Sequence, residues 1–148
     1  MISRPDDVRN GIRTIGAVNV QTSDMPAMRK PDPADTRALR DAFARFVTGV
    51  TVVTTQSDAG PMAITANSFT SVSLDPPLVL WCLGRGSNRY EAFRTARHFA
   101  IHVLAADQRE ICDLFARDGA ALAQVPHSRN AQGVPVLTQY LARFDCVL

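Results

Sequence analysis

Cysteine is scarce in this sequence and poorly arranged for cross-linking. Cys82, Cys112 and Cys146 are the only three; they are odd in number, widely spaced, and form no CxxC pair. None lies near a histidine at the spacing of a zinc site. A disulfide scaffold and a structural zinc centre are both excluded, which leaves buried or half-buried free thiols in a reducing compartment. Long apolar runs are missing too: none approaches the roughly 20 residues needed to span a bilayer. Met1 to Pro33 is polar and broken by Pro5, Gly11, Pro26, Pro31 and Pro33, with no apolar stretch of the signal-peptide kind, so the cytoplasm is the default location. The third absence is an excess of one charge. Sixteen Lys and Arg stand against fourteen Asp and Glu, a net charge of +2. Nucleic acid and anionic membranes are therefore poor partners, whereas a small anionic ligand needs only one local cluster of donors.

What is present suits one globular domain: 148 residues, 46% of them hydrophobic, long enough to bury roughly two-thirds of the unfolded surface. Residues 1–35 show no sustained period of 2 or 3.6 and read as a mobile extension, with Arg9, Arg13, Arg29 and Lys30 solvated. The folded part, 36–148, opens with Asp35 or Thr36 as a helix cap. Leu39, Phe43, Phe46 and Val47 follow at helical spacing, and Gly49 is the stop. Val50–Gln56 is a Val/Thr-rich strand, and Ser57-Asp58-Ala59-Gly60 is a turn that returns the chain antiparallel from Met62. Residues 61–74 are mostly small and hydroxylic, with many donors and little bulk. Asp75-Pro76-Pro77 breaks the chain, and Leu78–Leu83 reads as a buried strand holding Trp81 and Cys82 in the core. The loop Gly84–Asn88 opens a short helix through Tyr90, Phe93 and Arg94. His98–Leu104 alternates as a strand, with Phe99, Ile101 and Val103 on one face. Asp107 and Glu110 have capping-box spacing at the start of a helix bearing Ile111, Leu114 and Phe115. Residues 117–135 read as irregular and Leu141–Leu148 as a strand. The order predicts a mainly β, antiparallel fold with flanking helices, arranged as a small barrel with helices outside.

Two segments could carry chemistry. Gly84, Gly86, Ser87 and Asn88 before a helix offer open backbone, hydroxyl and amide donors, and a helix start, which together suit a phosphate; Arg85 or Arg89 could add a bidentate contact. The same pattern is also that of a plain N-cap. The Ser/Thr-rich strand could equally be a solvent-facing edge. His98, His102 and His127 read as structural or exposed, because none has a partner at metal-ligand spacing. No metal is expected.

Taken together, the segments resemble one family. Thr65-Ala66-Asn67-Ser68-Phe69-Thr70-Ser71-Val72-Ser73-Leu74-Asp75-Pro76-Pro77-Leu78-Val79 is similar to the signature of the flavin reductases that supply reduced flavin to two-component monooxygenases. Phe46–Thr54, His98–Leu104 and Gln108–Phe115 continue the likeness over about residues 36–148. The resemblance implies an FMN-binding split β-barrel and NAD(P)H-dependent reduction of FMN or FAD, with NADH or NADPH as hydride donor. It also implies a homodimer, a monooxygenase component as partner, and no side-chain acid or base, because the cofactor carries the reaction. Thr65, Ala66, Asn67 and Ser68 would follow the ribityl chain and one ring edge. Ser71, Val72 and Ser73 would bring backbone N–H groups to N5 and O4, and Ser87 and Asn88, with Arg85 or Arg89, would hold the phosphate. Family members continue past Phe144-Asp145-Cys146 with a Gly-Asp-His segment and closing strands. On this reading the chain is cut short, its last strand is an open edge, and a non-catalytic flavin-binding split barrel is the alternative to an active reductase.

Overall fold

The structure, a computed structural model, describes Arg37, which is helical, and residues 49–148. The predicted extension and the rest of the predicted first helix lie outside the described residues. The chain divides into two compact units, Met1–Val47 and Thr48–Leu148, and every strand described here belongs to the second.

That unit is built on β1 (Thr51–Ser57), β2 (Gly60–Ala66), β3 (Thr70–Leu74), β4 (Pro77–Leu80), α1 (Tyr90–Thr95), β5 (His98–Val103), α2 (Arg109–Arg117), β6 (His127–Arg129), β7 (Pro135–Leu137) and β8 (Ala142–Val147). A four-stranded antiparallel sheet runs β2-β1-β5-β8. The predicted turn closes β1 onto β2, with Ser57 opposite Gly60 and Thr51 opposite Ala66. β3 with β4, and β6 with β7, form separate antiparallel ribbons.

The period of two along β1 sorts the core. Val52 packs with Ala63, Leu104, Phe115, Leu122 and Leu137, so α2 covers that face of the sheet. Val53 faces the other way, onto Phe93 of α1, Phe99 and Ile101, with Trp81 and Leu83 at the margin. Both faces being covered, β1 is buried from Thr51 to Thr55. Its threonine hydroxyls are satisfied there by carbonyls: Thr54 Oγ1 donates to Pro135 at 2.6 Å and Thr55 Oγ1 to His98 at 2.8 Å. His102, fully buried on β5, is held the same way. Its Nδ1 lies 3.1 Å from the Val52 carbonyl, and the Leu137 N–H donates to Nε2 at 3.2 Å. One nitrogen therefore donates and the other accepts, which fixes a neutral tautomer.

Four expectations are corrected. The β4 run is not buried: Leu78 is 49% and Leu80 52% exposed, because among the described strands β4 pairs with β3 alone. Trp81 is half-buried against Phe93 and Phe99, while Cys82 is exposed. α2 begins at Arg109 with Gln108 at its cap position and no side-chain cap bond. Gln108 instead accepts the Ala105 N–H at 2.8 Å, so Asp107 and Glu110 form no capping box. Residues 117–135 are more regular than expected, holding a 3-10 turn at Ala121–Gln124, all of β6 and the start of β7. Their backbone groups bond one another over too few residues to leave a periodic signal.

Candidate functional site

The first candidate segment is tied to the chain just before the second. Ser68, just past β2, accepts the Cys82 N–H at 2.9 Å, and its hydroxyl donates to the Cys82 carbonyl at 3.1 Å. One side chain thus ties the middle of the first segment to the residue two places before the Gly84 loop. β3 leads away from this junction and carries a bulge. Ser71 pairs with Val79 and Ser73 with Leu78, which takes Val72 out of the ladder. Its backbone groups are not committed by the register, a common way for a strand to present main-chain atoms beside a site.

Within the first segment the side chains alternate. Thr65 faces α2, where its hydroxyl donates to the Cys112 carbonyl at 2.7 Å. Ala66 packs on the opposite, Phe93-containing core, and Asn67 is exposed. Ser71 and Val72 are exposed and Ser73 half-buried; the Ser73 hydroxyl donates to the Asp75 carbonyl at 3.1 Å. The stretch Thr65–Ser68 is the one expected to follow a ribityl chain and one ring edge, and two of its side chains carry hydroxyls. The Thr65 and Ser68 hydroxyls both donate to backbone carbonyls.

The second segment forms a turn. Ser87 N–H donates to the Gly84 carbonyl at 2.9 Å, and Tyr90 N–H donates to the Ser87 carbonyl at 3.0 Å. Gly84 and Gly86 are not in left-handed backbone; what they provide is open space, since a Cβ at either would meet nothing within 4 Å. Ser87 Oγ accepts the Arg89 N–H at 3.2 Å, which leaves the hydroxyl proton available to an anion. Arg85 and Asn88 are exposed. Arg89 differs from them. It is 7% exposed, and its guanidinium turns inward to donate to the Phe115 carbonyl at 2.9 Å and the Ala116 carbonyl at 3.3 Å. α1 is only six residues long, so the helix dipole adds little here; hydroxyl, amide and guanidinium donors are the recognition elements.

Burial pushes the Cys112 and Cys146 pKa values up, with Asp113 and Asp145 adding to the shift, which disfavours the thiolate at both. No cluster of His, Cys, Asp or Glu able to hold a metal occurs among the described residues. A cleft of about 240 Å³ opens at the far end of the sheet, lined by residues including Gln56, Asp58, Arg97, His98 and Gln132. None of the candidate residues lines it.

Comparison with known proteins gives this arrangement a context. Residues 43–148 match the family described as flavin reductase like domain. The chain is 50% identical over 116 residues to an NADH-dependent FMN reductase of Agrobacterium fabrum, an overlap that covers 78% of this chain and 67% of that protein. It is 45% identical over 119 residues to the reductase subunit of stachydrine N-demethylase from Rhizobium meliloti, covering 79% and 52%. An NADH:FAD oxidoreductase of Streptomyces globisporus, solved with NAD and FAD fragments, superposes with a TM-score of 0.71 at 38% identity, over 78% of this chain and 71% of that one. Across the curated relatives of highest similarity the chain spans between 37% and 67% of their length. The mainly antiparallel β fold expected from the sequence is the fold of these reductases, and the chain belongs to the flavin reductase like domain family.

Proposed function

We propose that this domain binds FMN or FAD and, with NADH or NADPH as hydride donor, produces reduced flavin for a partner monooxygenase. The observation that carries the reading is the Ser68–Cys82 clamp, which ties, within the matched family region, the segment assigned to the ring to the chain just before the one assigned to the phosphate.

The residues present fit such a ligand. Backbone atoms at the Val72 bulge are suited to ring acceptors, because a main-chain N–H donates without needing a charged side chain. Ser87, Asn88 and Arg85 form a polar, uncrowded loop for a phosphate, with Gly84 and Gly86 keeping side-chain bulk away. When bound, the flavin supplies the hydride-accepting centre. The protein's work is to orient it, and to aim N–H dipoles at the edge of the ring that becomes electron-rich. No general base is required of His98, His102 or His127.

Homodimerisation is part of the proposal. Val72, Leu74, Leu78 and Leu80 on the β3–β4 ribbon are 60%, 93%, 49% and 52% exposed, an apolar group that a second copy would cover. A cytoplasmic setting also belongs here, and no described helix is long and apolar enough to cross a membrane.

Anaerobic titration of the chain with FMN and FAD, followed by addition of NADH or NADPH, tests the reading. Saturable binding followed by bleaching of the flavin's visible band is expected. Binding without bleaching identifies the non-catalytic flavin protein, and no binding of either flavin removes the proposal.

A further inference from the structure

Both candidate segments are fastened from behind to one helix. Thr65 reaches α2 at Cys112 and Arg89 reaches its final turn, where carbonyls lack intrahelical partners and the negative end of the dipole favours a cation. The seat for Arg89 is closely fitted. Gly119 lies just beyond α2, and a Cβ there would fall 2.6 Å from Arg89 Nε and 2.5 Å from the Ala63 carbonyl oxygen. The Gly119 carbonyl accepts the Ala63 N–H at 2.8 Å. A side chain at 119 would therefore push on the arginine and on β2 together. The ion pairs among the described residues are Arg94–Glu91, Arg109–Asp113 and Arg143–Asp145, so none of the described carboxylates pairs with Arg89. A buried cation seated on carbonyl dipoles stays receptive to an anion nearby.

We infer that Arg89 is a positioning residue that makes the site selective for the phosphorylated form of the flavin, acting through Ser87. The inference rests on the reading of the Gly84–Arg89 loop as the phosphate site. With its guanidinium anchored on α2, Arg89 holds its own N–H against Ser87 Oγ, so the hydroxyl proton is the one left to donate to an ester oxygen. The buried charge adds attraction for a group that carries nearly two negative charges at neutral pH. Thr65 has a different part: it braces the ring-side strand on the same helix and has no bearing on the phosphate.

The experiment compares FMN with riboflavin, which differ only by the phosphate, using quenching of flavin fluorescence by the full chain. The wild type is expected to bind FMN at least about tenfold more tightly than riboflavin. Arg89→Met should lose about tenfold in FMN affinity with riboflavin affinity held within about twofold. Arg89→Lys keeps the charge but not the two-carbonyl fork, and should show a smaller loss confined to FMN. Thr65→Val should weaken both flavins equally. Equal losses for FMN and riboflavin in the arginine variants, or a Thr65→Val shift in the ratio as large as theirs, would overturn the inference. If Arg89→Met does not fold, Arg89→Lys against Thr65→Val carries the same test. A wild type that does not discriminate the two flavins would instead remove the phosphate-loop reading itself, a failure visible before any variant is made.

Discussion

β1 and the β3–β4 ribbon are written in similar residues and end in opposite environments. Thr51-Val52-Val53-Thr54-Thr55 is buried throughout, threonines included, whereas Pro77-Leu78-Val79-Leu80 has only Val79 half-covered. Apolar content would order them the other way. What separates them is position. β1 is central in the four-stranded sheet with a helix on each face, while among the described strands β4 has one neighbour, and of its apolar side chains Val79 packs on a core cluster. Burial is a property of the neighbours an element acquires, and a hydroxyl is tolerated inside wherever a carbonyl waits for it.

The contrast can be tested hardest at the α2-covered face. Phe115 is fully buried there, and Phe115→Ala should cost about 3–5 kcal/mol of stability by urea unfolding; a loss under about 1 kcal/mol would mean that the face is not packed as described.

A second, comparable effect comes from pH. Burial, with a smaller push from Arg143, lowers the His102 pKa to about 4 against the opposing hydrogen bond to Val52 and the charge of Asp145. As pH falls below about 6.5 the unfolded chain takes up a proton that the folded chain refuses. Stability should therefore drop by about 1.4 kcal/mol per pH unit down to about pH 4, about 3 kcal/mol in all. Below that the slope from this group vanishes. Unfolding curves across this range should show the slope in the wild type, and His102→Gln should flatten it. An unchanged slope in the variant would assign the acid sensitivity elsewhere.

The smallest effect is expected on the ribbon. Leu74→Ser, at the most exposed of the large apolar side chains, should change the unfolding free energy of the monomer by less than about 0.5 kcal/mol. The same variant should shift sedimentation towards monomer if a second copy covers the ribbon. A large monomer destabilisation would show that β3–β4 is covered within the chain.

Much of the fold was legible in sequence for local reasons. The Ser57–Gly60 turn, the alternation in β5, and the helices bearing Phe93 and Phe115 rest on turn chemistry and periodicity, which act over a few residues. The candidate segments were legible as well, through their unusual run of small and hydroxylic side chains. The direction of those side chains was not. Thr65, Ser68 and Arg89 look like ligand donors in a one-dimensional reading, and the fold directs each to a carbonyl at residues 112, 82, 115 and 116. The nearest signal was Gly119, a glycine after a helix, which by itself suggests only a helix stop.

Residue type and spacing by themselves determined the antiparallel strands, the helix faces and the glycine-serine loop, because turn preference and hydrophobic period are intrinsic to short stretches of chain. Only the tertiary structure decided that β1 is inside and β4 outside, that His102 is neutral, and that Arg89 braces the loop from beneath. Each of those depends on which distant carbonyl or apolar face arrives beside the residue, and no local pattern encodes that arrival.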